Sequence, residues 1–274
     1  MKKVKEKIFM FLIISSVIIS LIAIAIVFIS VPVMAANQSD QQLVDYLTGI
    51  AEQTGAGLLL ILLLKKLGIF EKSRFQRTIR EFWIIWPAIL FILFNASDVL
   101  SGKMKIDVTR PFVILAFIVV YLSTGFFEET LCRGVIFSLL LHKWGKTKGG
   151  CYLAMIVSGI MFGMFHFVHY FMGNASMLAT VTQVIYSAMI GTFFAACVVR
   201  NKSIYPAILL HGIVDISGSF GEIAVGGGIN KSYQTMTFPV AMILIIIALP
   251  LFLYGLFIVR KEFQNGMNQT PEGK

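Results

Sequence analysis

Glu128, Glu129 and Arg133 stand in the stretch FFEETLCRGVIF, inside an apolar run where charge is out of place. If that run is a helix, Glu129 and Arg133 are four residues apart and share a face, with the acid in the favoured N-terminal position. Glu128 is turned from Glu129 by about 100° and has no cation of its own there. This arrangement predicts a Glu129–Arg133 scaffold and a reactive Glu128. The competing reading has both acids binding Arg133 only to lock helices together. A second cluster lies in FGMFHFVHYF, where Phe162, His166 and His169 recur at helical spacing along one side, His169 fitting a packing role better than His166. A third lies in PAILLHGIVDISG, where His211 and Asp215 are again four apart. There Asp215 serves to hold the His211 tautomer, or His211 simply makes a helix contact.

Taken together, the clusters suit hydrolysis. A carboxylate, two histidines and an aspartate can polarise a water molecule and stabilise the oxyanion formed when it attacks an amide. The same Glu128, His166, His211 and Asp215 also suit one divalent metal ion such as zinc, which would lower the pKa of that water. Both chemistries stay open on these residues. The sequence has no HExxH pair, so a zincin-type helix site is excluded. Ser217 and Ser219 have no histidine base on a separate helix to activate them and read as packing residues.

The elements that must position these groups are membrane helices. The chain is 57% hydrophobic and 14% charged, with a mean hydropathy of +0.84, more apolar surface than a water-soluble fold can hide. About eight spans follow from the apolar runs, near residues 8–34, 52–64, 81–98, 111–141, 151–172, 177–199, 204–222 and 238–259. The fold class is therefore an all-α transmembrane bundle. Polar groups inside such spans face the bundle interior or a water-filled cavity. The net charge of +9 reports topology. With the N-terminus inside, every basic residue except Lys103, Lys105, Arg110, Lys231 and Arg133 falls on the cytoplasmic side, which places both termini there and leaves no case for nucleic acid.

The sequence divides into an N-terminal two-helix region at 1–79 with a basic cytoplasmic loop, a core at 80–259 and a polar tail at 260–274. Residues 35–51 read as an outer loop. The first span ends in the small residues VMAAN, like a secretory signal, but its apolar stretch is longer than such signals carry and favours an uncleaved helix. Cys132, Cys151 and Cys197 read as small buried residues.

The ordered trio EETLCR, FGMFH and HGIVD, each on its own span, resembles the pattern of the CPBP intramembrane proteases, also called Abi or CAAX-protease-like, which include the Rce1-type prenyl-protein endopeptidases. The resemblance covers roughly residues 80–222. It implies a helix bundle with a cavity open to membrane and cytosol, Glu128 as general base on water, and His166 positioning that water. It further implies His211 and Asp215 on the oxyanion side and Arg133 orienting the glutamates. Asp215 stands where an asparagine would donate to an oxyanion. An ionised aspartate cannot donate, which favours a metal ligand, a protonated acid or a partner for His211.

The reaction expected is cleavage of a peptide bond of a membrane-associated peptide or protein in the cell membrane, with lipid as the other partner. Bacterial members of the resembled family are linked to bacteriocin maturation, self-immunity and peptide signalling, and the short loops favour a small peptide over a prenylated protein. The rival readings are a transporter or proton relay, for which the paired broken helices are missing, and a non-catalytic immunity or scaffold protein. The residues set no oligomeric state.

Overall fold

The computed structural model describes residues 40–75, 79, 81–227 and 236–267. The expected first span at 8–34, its signal-like ending and the last residues of the polar tail lie outside them. The described residues are helical, and apart from one isolated antiparallel bridge between Ile106 and Ala224 they hold no β-structure. The all-α expectation is met.

Five helices are long and apolar enough to cross a membrane: Gln41–Lys66, Pro111–Trp144, Lys148–Phe171, Met177–Asn201 and Phe238–Arg260. Each corresponds to an expected span, with one correction of extent. The loop expected at 35–51 is mostly helix, because Asp40 caps the N-terminus by accepting from the Leu43 amide, and α1 runs from Gln41–Lys66.

Two expected spans are shorter than a bilayer. The run at 81–98 breaks at Pro87 into a 3₁₀ turn at Phe82–Ile85 and the nine-residue α2 at Pro87–Asn95, followed by a single turn at Ser97–Leu100. Proline has no amide to donate to the preceding turn, so the hydrogen-bond ladder stops there although Trp86 keeps helical dihedrals. The run at 204–222 forms α7, Tyr205–Gly218, whose 14 residues rise about 21 Å. It gives way to a 3₁₀ turn at Phe220–Ile223. The remaining helices are α3, Pro111–Glu129, continued by a π-helical stretch at Thr130–Phe137 into α4, Ser138–Trp144; then α5, Lys148–Phe165; α6, Met177–Asn201; and α8, Phe238–Met267.

The chain forms two compact units. The first takes Met1–Ser73, Ile92–Leu139 and Ile208–Lys231. In it α1 and α3 run parallel, since Tyr46 packs edge-on against Phe117 and Thr54 donates to Ser123. Gly49 and Gly57 let the two helices close on Val120 and Phe126, where an added Cβ would stand 2.8 and 2.4 Å away. At the end holding both N-termini a polar network ties the turn after α7 to both helices. Glu222 accepts from Tyr46 and Tyr121, and Gln42 donates to the Glu222 carbonyl. Arg110 grips Asp40 at 2.7 Å, and that hydrogen bond holds the Asp40 carboxyl below the usual carboxylate range.

The second unit takes Arg74–Phe91, Leu140–Ala207 and Ser232–Lys274. Here α6 is flanked by α5 and α8. Its C-terminal end carries the buried Arg200, which pairs with Glu81 and Glu262, while Lys202 also reaches Glu262. Cys132, Cys151 and Cys197 are all buried, as expected of them.

Candidate active site

The site is built on α3 and α7, two helices of the first unit that cross at a pair of glycines. A Cβ at Gly125 would lie 2.8 Å from the backbone nitrogen of Gly212 and 2.8 Å from the Ile208 carbonyl oxygen. A Cβ at Gly212 would lie 2.9 Å from Leu122. Only glycine at both positions permits this approach. Glu129 stands one turn after Gly125, and His211 immediately precedes Gly212, so the crossing puts them in contact.

Glu129 is fully buried and serves two donors. Its Oε1 accepts from Arg133 Nη1 at 2.6 Å and from His211 Nδ1 at 2.8 Å. Arg133 is equally enclosed. The opposite edge of the His211 ring faces the other two acids, with Nε2 3.3 Å from Asp215 Oδ2 and 3.6 Å from Glu128 Oε2. With a carboxylate at each nitrogen, the ring can donate at both ends. Glu128 and Asp215 keep 31% and 27% of their side-chain surface accessible, whereas His211 keeps 5%. The accessible face therefore carries Glu128 and Asp215, with His211 behind them and Glu129–Arg133 enclosed behind His211.

Immediately after the glutamates the helix widens into its π stretch, Thr130–Phe137, every residue of which is buried. Ser138 donates to the Arg133 carbonyl five residues back. Such wide turns are rare and concentrate at functional sites.

His166 belongs to the second unit, at the point where α5 ends and a short turn of helix, Phe167–Phe171, begins. Its Nδ1 lies 3.3 Å from the carbonyl oxygens of Phe162 and Gly163. Carbonyls only accept, so Nδ1 is the donor in these contacts. Phe162 packs edge-on against the imidazole at 5.2 Å, which gives the four-residue spacing of FGMFH its local meaning.

The first unit thus brings together Glu128, Glu129, Arg133, His211 and Asp215, five of the six residues singled out in the sequence. The Glu129–His211 bond was not anticipated, since the sequence suggested Asp215 as the partner that sets the His211 ring. The bond joins residues 82 positions apart and has no local signature. Gly125 and Gly212 were also missed, although a glycine one turn before one polar cluster and another inside the next is a signal of close helix crossing. Ser217 donates to the Val214 carbonyl and accepts from Asn95, in keeping with a packing role.

Gly125→Ala is expected to destabilise the protein by about 1–3 kcal/mol, because the new methyl meets backbone atoms that cannot move aside. Gly55→Ala, where nothing lies within 4 Å, is the control. Thermal unfolding of detergent-solubilised protein should separate the two, and equal midpoints would refute the crossing.

Among the described residues no group of three or more His, Cys, Asp or Glu side chains stands so as to hold a metal ion. At His211, Nδ1 is engaged by Glu129, while Nε2 faces Asp215 and Glu128. The set as arranged does not fit a metal.

No curated protein and no solved structure matches the chain significantly. A family model does match: residues 110–217 fit the Rce1-like family, described as type II CAAX prenyl endopeptidase Rce1-like. The match begins just ahead of α3 and ends in the last turn of α7, so it encloses all three motifs. Residues 110–217 are thus similar to the Rce1-like family of CAAX-type endopeptidases, the family that the three motifs resemble.

Proposed function

We propose that this protein is an intramembrane endopeptidase that hydrolyses a peptide bond of a membrane-associated peptide by water activated at Glu128. The observation that carries the reading is the division among the acids. Glu129 is enclosed and taken up by Arg133 and His211, while Glu128 is accessible and beside the far edge of the same imidazole.

In this reading Glu128 removes a proton from water as the water oxygen attacks the substrate carbonyl carbon. The carbonyl π electrons move onto oxygen, and His211 shifts its Nε2–H from Asp215, 3.3 Å away, to the negative charge as it develops. Collapse of the tetrahedral intermediate breaks the C–N bond, and Glu128 returns its proton to the departing amine. Before the attack Asp215 faces the same Nε2 and holds the outer edge of the ring, a role that suits an aspartate. Arg133 offsets the charge of Glu129. No step requires a metal, because the donor set does not fit one.

The bilayer is the plasma membrane in this proposal, with both termini cytoplasmic as the basic residues indicate. The substrate is a small peptide or a membrane-protein tail.

The test is direct. Protein in lipid nanodiscs is incubated with two probes, an unmodified membrane-inserting peptide pool and farnesyl-cysteine peptides, and the products are read by mass spectrometry. Cleavage is expected and is expected to persist in 1,10-phenanthroline. Loss of cleavage with chelator and recovery on adding zinc would overturn the metal-independent mechanism. Absence of cleavage of both probes, with the protein folded, would count against the endopeptidase reading. Cleavage confined to the farnesylated probe would reassign the substrate.

A further inference from the structure

α7 carries His211 and Asp215, and α3 carries Glu128, so the width of the accessible face depends on the angle at which these two helices cross. At the crossing they meet backbone to backbone, through Gly125 and Gly212. A contact made without side chains fixes how close two helices stand but leaves their angle free. A further contact on each side of the glycines is needed to stop α7 rocking. On one side stands the buried Glu129–His211 bond at 2.8 Å. Asp215 lies on the other side, beyond Gly212.

That arm is tied as well. One turn before Gly125, Tyr121 donates to Glu222 Oε1 at 2.8 Å, and Glu222 belongs to the 3₁₀ turn that follows α7. Its Oε2 accepts from Tyr46 of α1 at 2.9 Å, and its carbonyl accepts from Gln42 at 2.8 Å. The turn is anchored by other groups too. Phe220 packs on the buried Phe117 with ring centres 6.3 Å apart, the Asp107 amide donates to the Ile223 carbonyl, and the Val225 amide donates to the Lys105 carbonyl. A carboxylate costs more to enclose than an apolar side chain of its size. Here it supplies two acceptor oxygens, enough to hold α1 and α3 to the end of α7 at once. Tyr121 and Glu128 are seven residues apart and turned by only about 20°, so the tie acts on the face of α3 that presents Glu128. All of these groups belong to the first unit.

We propose that Glu222 is a positioning residue for the cleavage step: through Tyr121 it holds the C-terminal arm of α7 against α3, and so sets the gap between Asp215 and Glu128 in which the scissile peptide group lies. This inference rests on the endopeptidase reading for the reaction it serves. It gives a part in catalysis to a carboxylate that does not itself meet the substrate.

The test uses the full chain in lipid nanodiscs with Glu222→Met, which removes both acceptor oxygens, with the milder Tyr121→Phe, and with the two combined. Asp40→Ala is the comparison, since it removes the α1 cap and the Arg110 ion pair of the same polar network and leaves Glu222 in place. Three quantities are read: kcat and KM on the peptide cleaved by the unsubstituted protein, the thermal midpoint, and amide hydrogen exchange in residues 212–218. Glu222→Met and Tyr121→Phe are each expected to lower kcat about tenfold or more while KM stays within about twofold, because small displacements of reacting groups carry such costs. Tyr121→Phe should add nothing to kcat in the Glu222→Met background, as expected for two ends of one bond. Exchange at 212–218 should quicken in all three variants. Asp40→Ala should lower the midpoint with kcat unchanged. Lower midpoints with kcat unchanged in the Glu222 and Tyr121 variants would show an ordinary structural tie and overturn the proposal. Unchanged exchange at 212–218 would overturn it too. No cleavage by any variant, the unsubstituted protein included, would sink the endopeptidase reading and with it the catalytic part of Glu222, while quickened exchange would still show that Glu222 restrains α7.

Discussion

Glu128→Gln is expected to lower the rate of peptide cleavage by about 10²–10⁴-fold, the range general-base catalysis contributes. The substitution keeps the shape of the side chain and removes its basicity. Glu128 lies 3.6 Å from His211 Nε2, beyond hydrogen-bonding range, and 31% of its side chain is accessible, so little of the packing depends on it. The thermal midpoint should therefore stay close to that of the unsubstituted protein. Peptide affinity should also survive, because the glutamine occupies the same volume. Cleavage retained within a few-fold would remove Glu128 from the mechanism. Glu129→Gln offers the contrast: it alters the one oxygen shared by Arg133 and His211, and should lower stability as well as rate.

Arg133→Met carries the largest expected effect on stability. Removing one partner of a fully enclosed ion pair typically costs about 3–5 kcal/mol, because the charge left behind is neither solvated nor paired. Here the charge left behind is Glu129, which is completely buried and keeps only the His211 contact. The surrounding π stretch is buried at every residue. The double variant Glu129→Gln/Arg133→Met should recover a substantial part of the loss, since the uncompensated charge is then gone. Unfolding in detergent by heat or by rising SDS fraction would measure this. Equal stability of the single and double variants would show that Glu129 is not a charge held in place by Arg133. Activity should be lost in the double variant, because His211 needs the Glu129 carboxylate to hold its ring.

The elements legible from residue order are those with local causes. Glu129–Arg133 and His211–Asp215 were read from four-residue spacing, and both pairs are in contact, since helical periodicity alone fixes which side chains share a face. The five long spans were read from apolar runs, because a bilayer selects on length and hydropathy with little regard to packing. The Rce1-type resemblance rested on three short motifs, and the family match encloses all of them. The runs at 81–98 and 204–222 were read too long. Hydropathy does not register that Pro87 breaks one of them, or that the other stops as a helix at Gly218 and turns back to be held by Glu222.

What residue order determined by itself was therefore the solvent, the helices, and the sets of ionisable groups that each helix presents. Tertiary structure alone decided how those sets combine. Glu129 became the partner of His211 because glycines at 125 and 212 let α3 and α7 approach until side chains 82 residues apart meet. The same crossing left Glu128 and Asp215 on the accessible edge of the imidazole and turned both ring nitrogens toward carboxylates. Distances of this kind depend on where two helices cross, and a crossing is set by the absence of side chains, which periodicity and hydropathy do not record.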